Sequence, residues 1–381
     1  MKKLLKILCF FAAIPVMHAC LEEDASNIVS PYTFYQNKEQ IRAAVNGCYR
    51  MNNDIFCLGY MIVTEGASDL GHSQYNAQVD ARLDITPASP KGNQIRTWRY
   101  LWQGIRDCLS TIAGIDRSPE AADKKAPLRA EAEIMLAHYY YILTCYFGDV
   151  PYYDFWVESV EDLQTVGRIG RMPASDTRRK LIAKLQACVP GLDQVRSSDI
   201  PGNYVGAAMG WLLIAKMAAW EKDWDTVIDA CSHLESIYGD LGQYSYADVC
   251  FRYKNTPESI FEIQHAWTPN GIKYITPSSL GIASIMMPFN KTSGTAIYDG
   301  VTIDEIGAEA TSYRPIQPTS YFKNEVMPDG KGDLRRPYIL ATGYDGVKFN
   351  GSRTWLGPKF WCPGMIGTQD GNNYKVYRYA D

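Results

Sequence analysis

The sequence predicts a mainly α-helical protein: a tetratricopeptide-like helical-repeat layer that carries an irregular, loop-rich lobe. Three stretches predict it. The first is Ala130–Pro151, AEAEIMLAHYYYILTCYFGDVP. Ile134, His138, Tyr141 and Cys145 share one helical stripe, Met135, Tyr139, Ile142 and Tyr146 a second, and Leu136, Tyr140, Leu143 and Phe147 a third. A helix apolar on three stripes has to be covered on all of them, which places it at the centre of a helical protein. The second stretch runs from Val205: a small-residue helix (AAMGWLLIAKMAAW), a tight turn at Glu221-Lys222-Asp223, and an amphipathic partner. Small residues let neighbouring backbones approach closely, which is the plan of a tetratricopeptide-type hairpin. The third is the change of character beyond Tyr244. Residues 268–370 are rich in Gly, Pro, Ser and Asn and have no long helical period.

In chain order, residues 37–50 read as a helix on the face formed by Ile41, Ala44, Val45, Cys48 and Tyr49. Residues 55–94 lose periodicity and hold Glu65, Asp69, His72, Tyr75 and Asp80. They read as a long ordered loop, a length uncommon unless functional. Helical spacing returns over 95–115 with Trp98, Leu101, Trp102, Ile105, Leu109 and Ile112. In the central helix, Glu131 and Glu133 read as first-turn carboxylates that suit the helix dipole, and Pro127 fits a first-turn position. Gly148 reads as its C-cap, with Pro151 blocking continuation. After a break at Arg171-Met-Pro, Leu181, Ile182, Leu185 and Val189 mark another helix, closed by Pro190-Gly191. In the hairpin's second helix, Trp224, Val227, Ile228, Cys231, Leu234 and Ile237 form the packing face. Ile260-Phe-Glu-Ile-Gln264 suggests a strand.

Composition fits a globular chain with ample core: of 381 residues, 46% are apolar and 21% charged. The N-terminus reads as a leader over 1–19. Lys2, Lys3 and Lys6 supply its positive end, and the apolar run Leu4–Val16 is too short to span a bilayer. It closes on Ala19-Cys20, which resembles a bacterial lipobox and makes Cys20 the lipidation candidate, anchoring the chain to a membrane. Loss of the leader removes three lysines and no acid, taking the net charge from -4 to -7. An acidic chain argues against nucleic acid as partner. The acidic run Glu22-Glu23-Asp24 reads equally as a solvated linker and as a surface-export signal. The ten cysteines form no CxxC pair and no zinc-type cluster with histidine, and those at 108, 145, 188 and 231 fall in apolar helical runs and read as buried free thiols. Residues 20–36 then form a lipidated linker. Residues 37–381 form one domain, with the helical layer over about 37–240 and the lobe over about 241–376.

Several of these segments, in this order, resemble the SusD/RagB family of outer-membrane nutrient-binding lipoproteins. They are Trp98 with Trp102, Gly104 and Ile105; Ala130-Glu-Ala followed by Ala137 to Phe147-Gly-Asp-Val-Pro151; and Arg171-Met-Pro with its helix. Trp220-Glu-Lys-Asp-Trp224, Glu258-Ser-Ile-Phe-Glu-Ile263 and the Asp333-Leu-Arg-Arg336 turn follow. The chain departs from the family where Glu133 and Leu136 stand in place of Arg, and Cys108 in place of Asn. Tyr377-Arg-Tyr-Ala-Asp381 looks like the opening of a further helix, which implies a C-terminally truncated member. The resemblance implies a SusD-like α/α fold and a cell-surface lipoprotein of the outer membrane. Such a protein seats on a TonB-dependent transporter barrel (SusC-like), captures glycan and releases it into the barrel.

Sugar recognition needs aromatic faces for the C–H side of a pyranose and polar groups for its hydroxyl rim. The ligand-contact candidates are His72 and Tyr75, where the family often places ligand contacts, and Trp267, Tyr298, Trp355 and Trp361 in the lobe. Trp98 and Trp102, helical and four apart, read as core packing, and His138 as a satisfied core histidine. No GxSxG, HExxH or phosphate loop is present, and neither a cofactor nor a metal site is indicated. Asp329, Lys331 and Asp333 mimic a calcium loop, but Lys at its third position reads as a turn. The function read from the sequence is non-enzymatic glycan capture. The alternatives are a glycan-cleaving enzyme, since acids are plentiful, and a protein-binding helical scaffold.

Overall fold

A computed structural model describes residues 34–56, 60, 64–73, 86, 93–249, 253–265, 283, 286, 293–306, 316–350, 354–365 and 371–381. The leader, Cys20, the acidic run, Tyr75 and Trp267 lie outside these residues.

Eight helices are described between residues 38 and 238: α1 Lys38–Cys48, α2 Met51–Ile55, α3 Asn93–Arg117, α4 Ala122–Phe147, α5 Val160–Val166, α6 Ala174–Cys188, α7 Ala207–Glu221 and α8 Trp224–Tyr238. Asn37 caps α1 by accepting from the Gln40 amide, and Ile41, Val45 and Cys48 form its buried stripe. α4 is the centre. Every residue from Ala130 to Tyr140 is buried, and α1, α3, α6 and α7 all pack on it. Gly148 closes α4 with φ +64°, a left-handed backbone that a side chain would strain. None of the described helices is long and apolar enough to cross a membrane.

The structure corrects three readings of this layer. α4 begins at Ala122, so Pro127 sits inside the helix, and Glu131 and Glu133 lie mid-helix rather than in its first turn. Both carboxylates are buried and held by cations. Arg42 on α1 grips Glu131 through two 2.7 Å hydrogen bonds, with the Tyr49 hydroxyl donating as well. Arg129 donates to Glu133 at 3.1 Å, one turn away. Burial raises the Glu133 carboxyl, and Lys184 and Arg129 pull it back down. In α8 the buried stripe is Ala230, Leu234 and Tyr238, while Trp224 and Ile228 are 58% and 65% exposed. The apolar residues of α8 therefore form two stripes, and α7 covers one of them.

Among the described residues, twelve short strands pair antiparallel in twos. They are β1 (Gly71–Ser73) with β7 (Ile316–Pro318), β2 (Val150–Pro151) with β3 (Arg171–Met172), and β4 (Ser259–Ile263) with β12 (Tyr374–Arg378). β5 (Gly294–Tyr298) pairs with β6 (Val301–Ile306), β8 (Leu340–Ala341) with β11 (Trp355–Leu356), and β9 (Gly343–Tyr344) with β10 (Val347–Lys348). Tyr374–Arg378 is thus a strand, where the sequence read the last residues as the start of a helix. All five residues of its partner β4 are buried, and a two-stranded ladder between buried faces satisfies the backbone that a loop would leave unpaired. The residues 329–336 form a turn, in which Arg336 reaches Asp329 at 2.6 Å and Arg335 donates to Asp333.

β12 is fixed to the helical core by one polar chain. Asn52 Oδ1 sits 3.0 Å from His138 Nε2, and Tyr377 Oη sits 3.0 Å from His138 Nδ1. An amide oxygen can only accept, so Nε2 carries the proton and Nδ1 accepts from Tyr377. Asn52 in turn donates to Tyr139 Oη, which donates to the Cys48 carbonyl. Trp98 and Trp102 pack against the core edge, Trp98 on Phe147 at 4.9 Å and Trp102 stacked on Tyr153 at 5.7 Å.

Two outcomes follow. Arg42→Ala strands a buried carboxylate and should lower unfolding free energy by roughly 2–3 kcal/mol in denaturant titration; water contact at Arg42 keeps the loss at the low end. Burial holds His138 at about 3, against an ordinary 6.5. As pH falls the unfolded chain takes this proton first, so stability present above pH 6.5 is lost towards pH 3, at up to about 1.4 kcal/mol per pH unit. His138→Gln should flatten that part of the stability–pH curve, and an unchanged slope would refute the assignment.

Candidate functional site

The β1–β7 ladder, the loop before β1, the 358–360 turn and β12 enclose a cavity of about 400 Å³. That volume falls within the range of small-ligand pockets, about 300–1,000 Å³. Its described walls bring together four aromatic rings, Tyr246, Phe322, Phe360 and Tyr374, with the polar groups of Glu65, Lys359, Asn372 and Asn373.

Each wall has a local cause. The register Gly71↔Pro318, His72↔Gln317 joins the early loop to the lobe. A Cβ at Gly71 would stand 2.6 Å from the Glu65 carbonyl and 3.1 Å from the Ile316 side chain, so only glycine lets the 65–71 loop close against β7. Thr319 N–H then donates to the Leu70 carbonyl at 3.1 Å, extending the rung. Asn372 and Asn373 are locked by the frame: Asn372 Nδ2 donates to the Trp361 carbonyl, and Asn373 Nδ2 donates to Glu262 Oε2 at 2.8 Å. Burial pushes the Glu65 carboxyl up although the side chain keeps an exposed edge, and the Lys359 ammonium pulls it down. Lys359 itself lies 4.8 Å from the Phe360 ring centre. Flat rings beside fixed amides and one carboxylate can hold a ring-shaped polyol by its apolar face and its hydroxyls. Glu65 is the one carboxylate among the described lining residues.

The sequence candidates divide. His72 is exposed on β1, one residue from the cavity wall at Gly71. Tyr298 and Trp361, 0% and 1% exposed, belong to the lobe's own core with Ile303 and Met365, and Trp355 on β11 is 8% exposed. Burial of these three rings departs from their reading as ligand contacts: the lobe needs a hydrophobic centre of its own, and Tyr298 and Trp361 help to build it. Nothing local in the sequence separates Tyr246, Phe322 and Phe360 from the other aromatic residues of the lobe. For Tyr374 a signal existed, the strand-favouring aromatic and β-branched residues of Tyr374-Lys-Val-Tyr-Arg378. Among the described residues no group of His, Cys, Asp or Glu could hold a metal ion.

This arrangement, a tetratricopeptide-like layer with a lobe, superposes on solved SusD-like structures. No family model matches the chain. SusD-like protein P25 of Formosa agariphila is 26% identical over 250 residues, covering 60% of this chain and 45% of its own length. The chain thus spans less than half the length of that curated relative. Among solved structures, a laminarin-binding SusD-like protein superposes with a TM-score of 0.67 at 16% identity, over 91% of this chain and 78% of that one. Surface glycan-binding protein A from Bacteroides thetaiotaomicron, in complex with laminarihexaose, gives a TM-score of 0.64 at 17% identity, over 90% and 76%. In sequence the chain resembles SusD-like proteins, and it shares their fold.

Replacing Gly71 by alanine should push the 65–71 loop off β7. Amide hydrogen exchange at Thr319 would then quicken at least roughly tenfold, because its acceptor at Leu70 moves away.

Proposed function

We propose that the protein is a cell-surface glycan-binding lipoprotein, anchored through lipid at Cys20, that holds oligosaccharide in the cavity beside β12 and passes it to a TonB-dependent transporter barrel. The observation that carries the reading is the convergence of four aromatic rings and fixed amides on one cavity. Two structural neighbours whose names record laminarin and laminarihexaose support glycan as the ligand class. Binding without cleavage is favoured over hydrolysis by the single carboxylate among the described lining residues, since glycoside hydrolysis ordinarily uses two. His72, exposed at the cavity rim, is proposed as a peripheral contact, and Tyr75 and Trp267 remain candidates of the same kind. The anchor and the barrel partner rest on the leader with its Ala19-Cys20 junction and on the family.

Calorimetric titration with laminarihexaose and a panel of other oligosaccharides tests the reading. Binding should appear for at least one sugar and weaken roughly tenfold, about 1.4 kcal/mol, in Phe322→Ala and in Tyr246→Ala. New reducing ends after incubation would contradict it, as would binding that ignores both substitutions. For the anchor, a Cys20→Ala chain should leave the membrane fraction of the producing cell.

A further inference from the structure

A second pocket lies on another side of the molecule, where the α1–α2 junction, the 202–204 turn and β4 meet. It measures about 290 Å³ and shares no described lining residue with the cavity beside β12. Three rings bound it. Tyr49 lies 6.0 Å from Tyr204 and 6.2 Å from Phe261, centre to centre. Asn203, at its mouth, holds a left-handed backbone with φ +54°, a conformation that carries cost for any residue but glycine.

Two residues that line this pocket each carry a buried acceptor with no hydrogen-bond donor. One is Asn53 Oδ1. The other is Oε1 of Glu262, whose side chain is 0% exposed. Its sister oxygen Oε2 is satisfied by the Asn255 amide at 3.0 Å and by Asn373 Nδ2 at 2.8 Å. The nearest cation to Oε1 is Lys375 Nζ at 3.9 Å, beyond hydrogen-bond reach. Native proteins rarely leave buried oxygens without donors, and such an oxygen ordinarily marks a water or a ligand.

We propose that this pocket is a second sugar subsite that takes one neutral pyranose ring. The ring would lay its C–H face against the aromatic wall and donate hydroxyl hydrogens to Glu262 Oε1 and Asn53 Oδ1. Charge narrows the class. Glu262 repels uronate and sulfate groups. Arg50 on the pocket wall disfavours an ammonium. What remains is an uncharged polyol with donors to give. The subsite stands whether or not the larger cavity binds glycan.

Methyl hexosides and methyl xyloside are soaked into crystals of the whole chain and titrated in solution against the wild type, Asn53→Leu and Phe322→Ala. The expected result is one ring in this pocket with hydroxyl oxygens on Glu262 Oε1. Affinity should fall at least tenfold in Asn53→Leu and hold in Phe322→Ala, which touches only the larger cavity. Asn203→Gly keeps the left-handed turn and removes a wall amide, so it serves if Asn53→Leu does not fold, and it should weaken binding several-fold. Ordered water alone on Oε1, binding of glucosamine but no neutral sugar, a ring in crystals with no titration signal, or affinity unmoved by the pocket variants would each overturn the proposal.

Discussion

The imidazole of His138 is the joint on which the two parts of the molecule meet. It lies at 0% exposure in the centre of α4, and both of its nitrogens are used, one by Asn52 from α2 and one by Tyr377 from β12. A neutral imidazole there costs little because each nitrogen has the partner its tautomer needs. The charged form would lack solvation, and Tyr377 would have to turn its hydroxyl hydrogen away to accept the second proton. The same bond that satisfies His138 sets the position of β12, and β12 in turn pairs with β4, whose five residues are all buried. A helical layer alone has no means of holding a loop-rich lobe at a fixed distance; this ladder, tied to the central helix, supplies it.

The cavity follows from that tie. Tyr374, Lys375 and Arg378 stand on the strand that Tyr377 fixes, and they form one wall. Another wall is the β1–β7 rung, where the early loop crosses to the lobe through a glycine that tolerates no side chain. The aromatic faces are thus carried on backbone that is pinned at both ends. Pre-set rings favour binding, because little side-chain freedom remains to be lost when a flat sugar face settles on them. Glu65 is the one carboxylate among the described residues of this cavity, beside the rings and amides that a polyol would meet.

Much of the helical layer is legible in the sequence because burial in a helix leaves a 3.6-residue period. The three stripes of Ala130–Pro151 correspond to a helix covered along its middle by four neighbours. Its charges were not legible. Glu131 and Glu133 look like first-turn residues until Arg42 and Arg129 are seen beside them, and Arg42 is 89 positions away from Glu131. Periodicity also fails to say which apolar stripe of α8 meets α7, since Trp224, Ile228 and Cys231 recur at helical spacing just as Ala230, Leu234 and Tyr238 do. The lobe hides its site for a different reason. An aromatic residue in a Gly- and Pro-rich segment has the same sequence signature whether it builds a small core, as Tyr298 and Trp361 do, or faces a cavity, as Phe360 and Tyr374 do. Only the pairing of strands far apart in the chain, 71–73 with 316–318 and 259–263 with 374–378, separates the two cases.

The central claim is that the join between helical layer and lobe is where glycan is held. A crystal structure of the whole chain grown with an oligosaccharide that binds in solution tests it most directly. The account predicts sugar rings packed on Phe322, Phe360 or Tyr374, with hydroxyls reaching Glu65 and Lys359. Oligosaccharide bound only on the helical layer, with the cavity beside β12 filled by water, would contradict it.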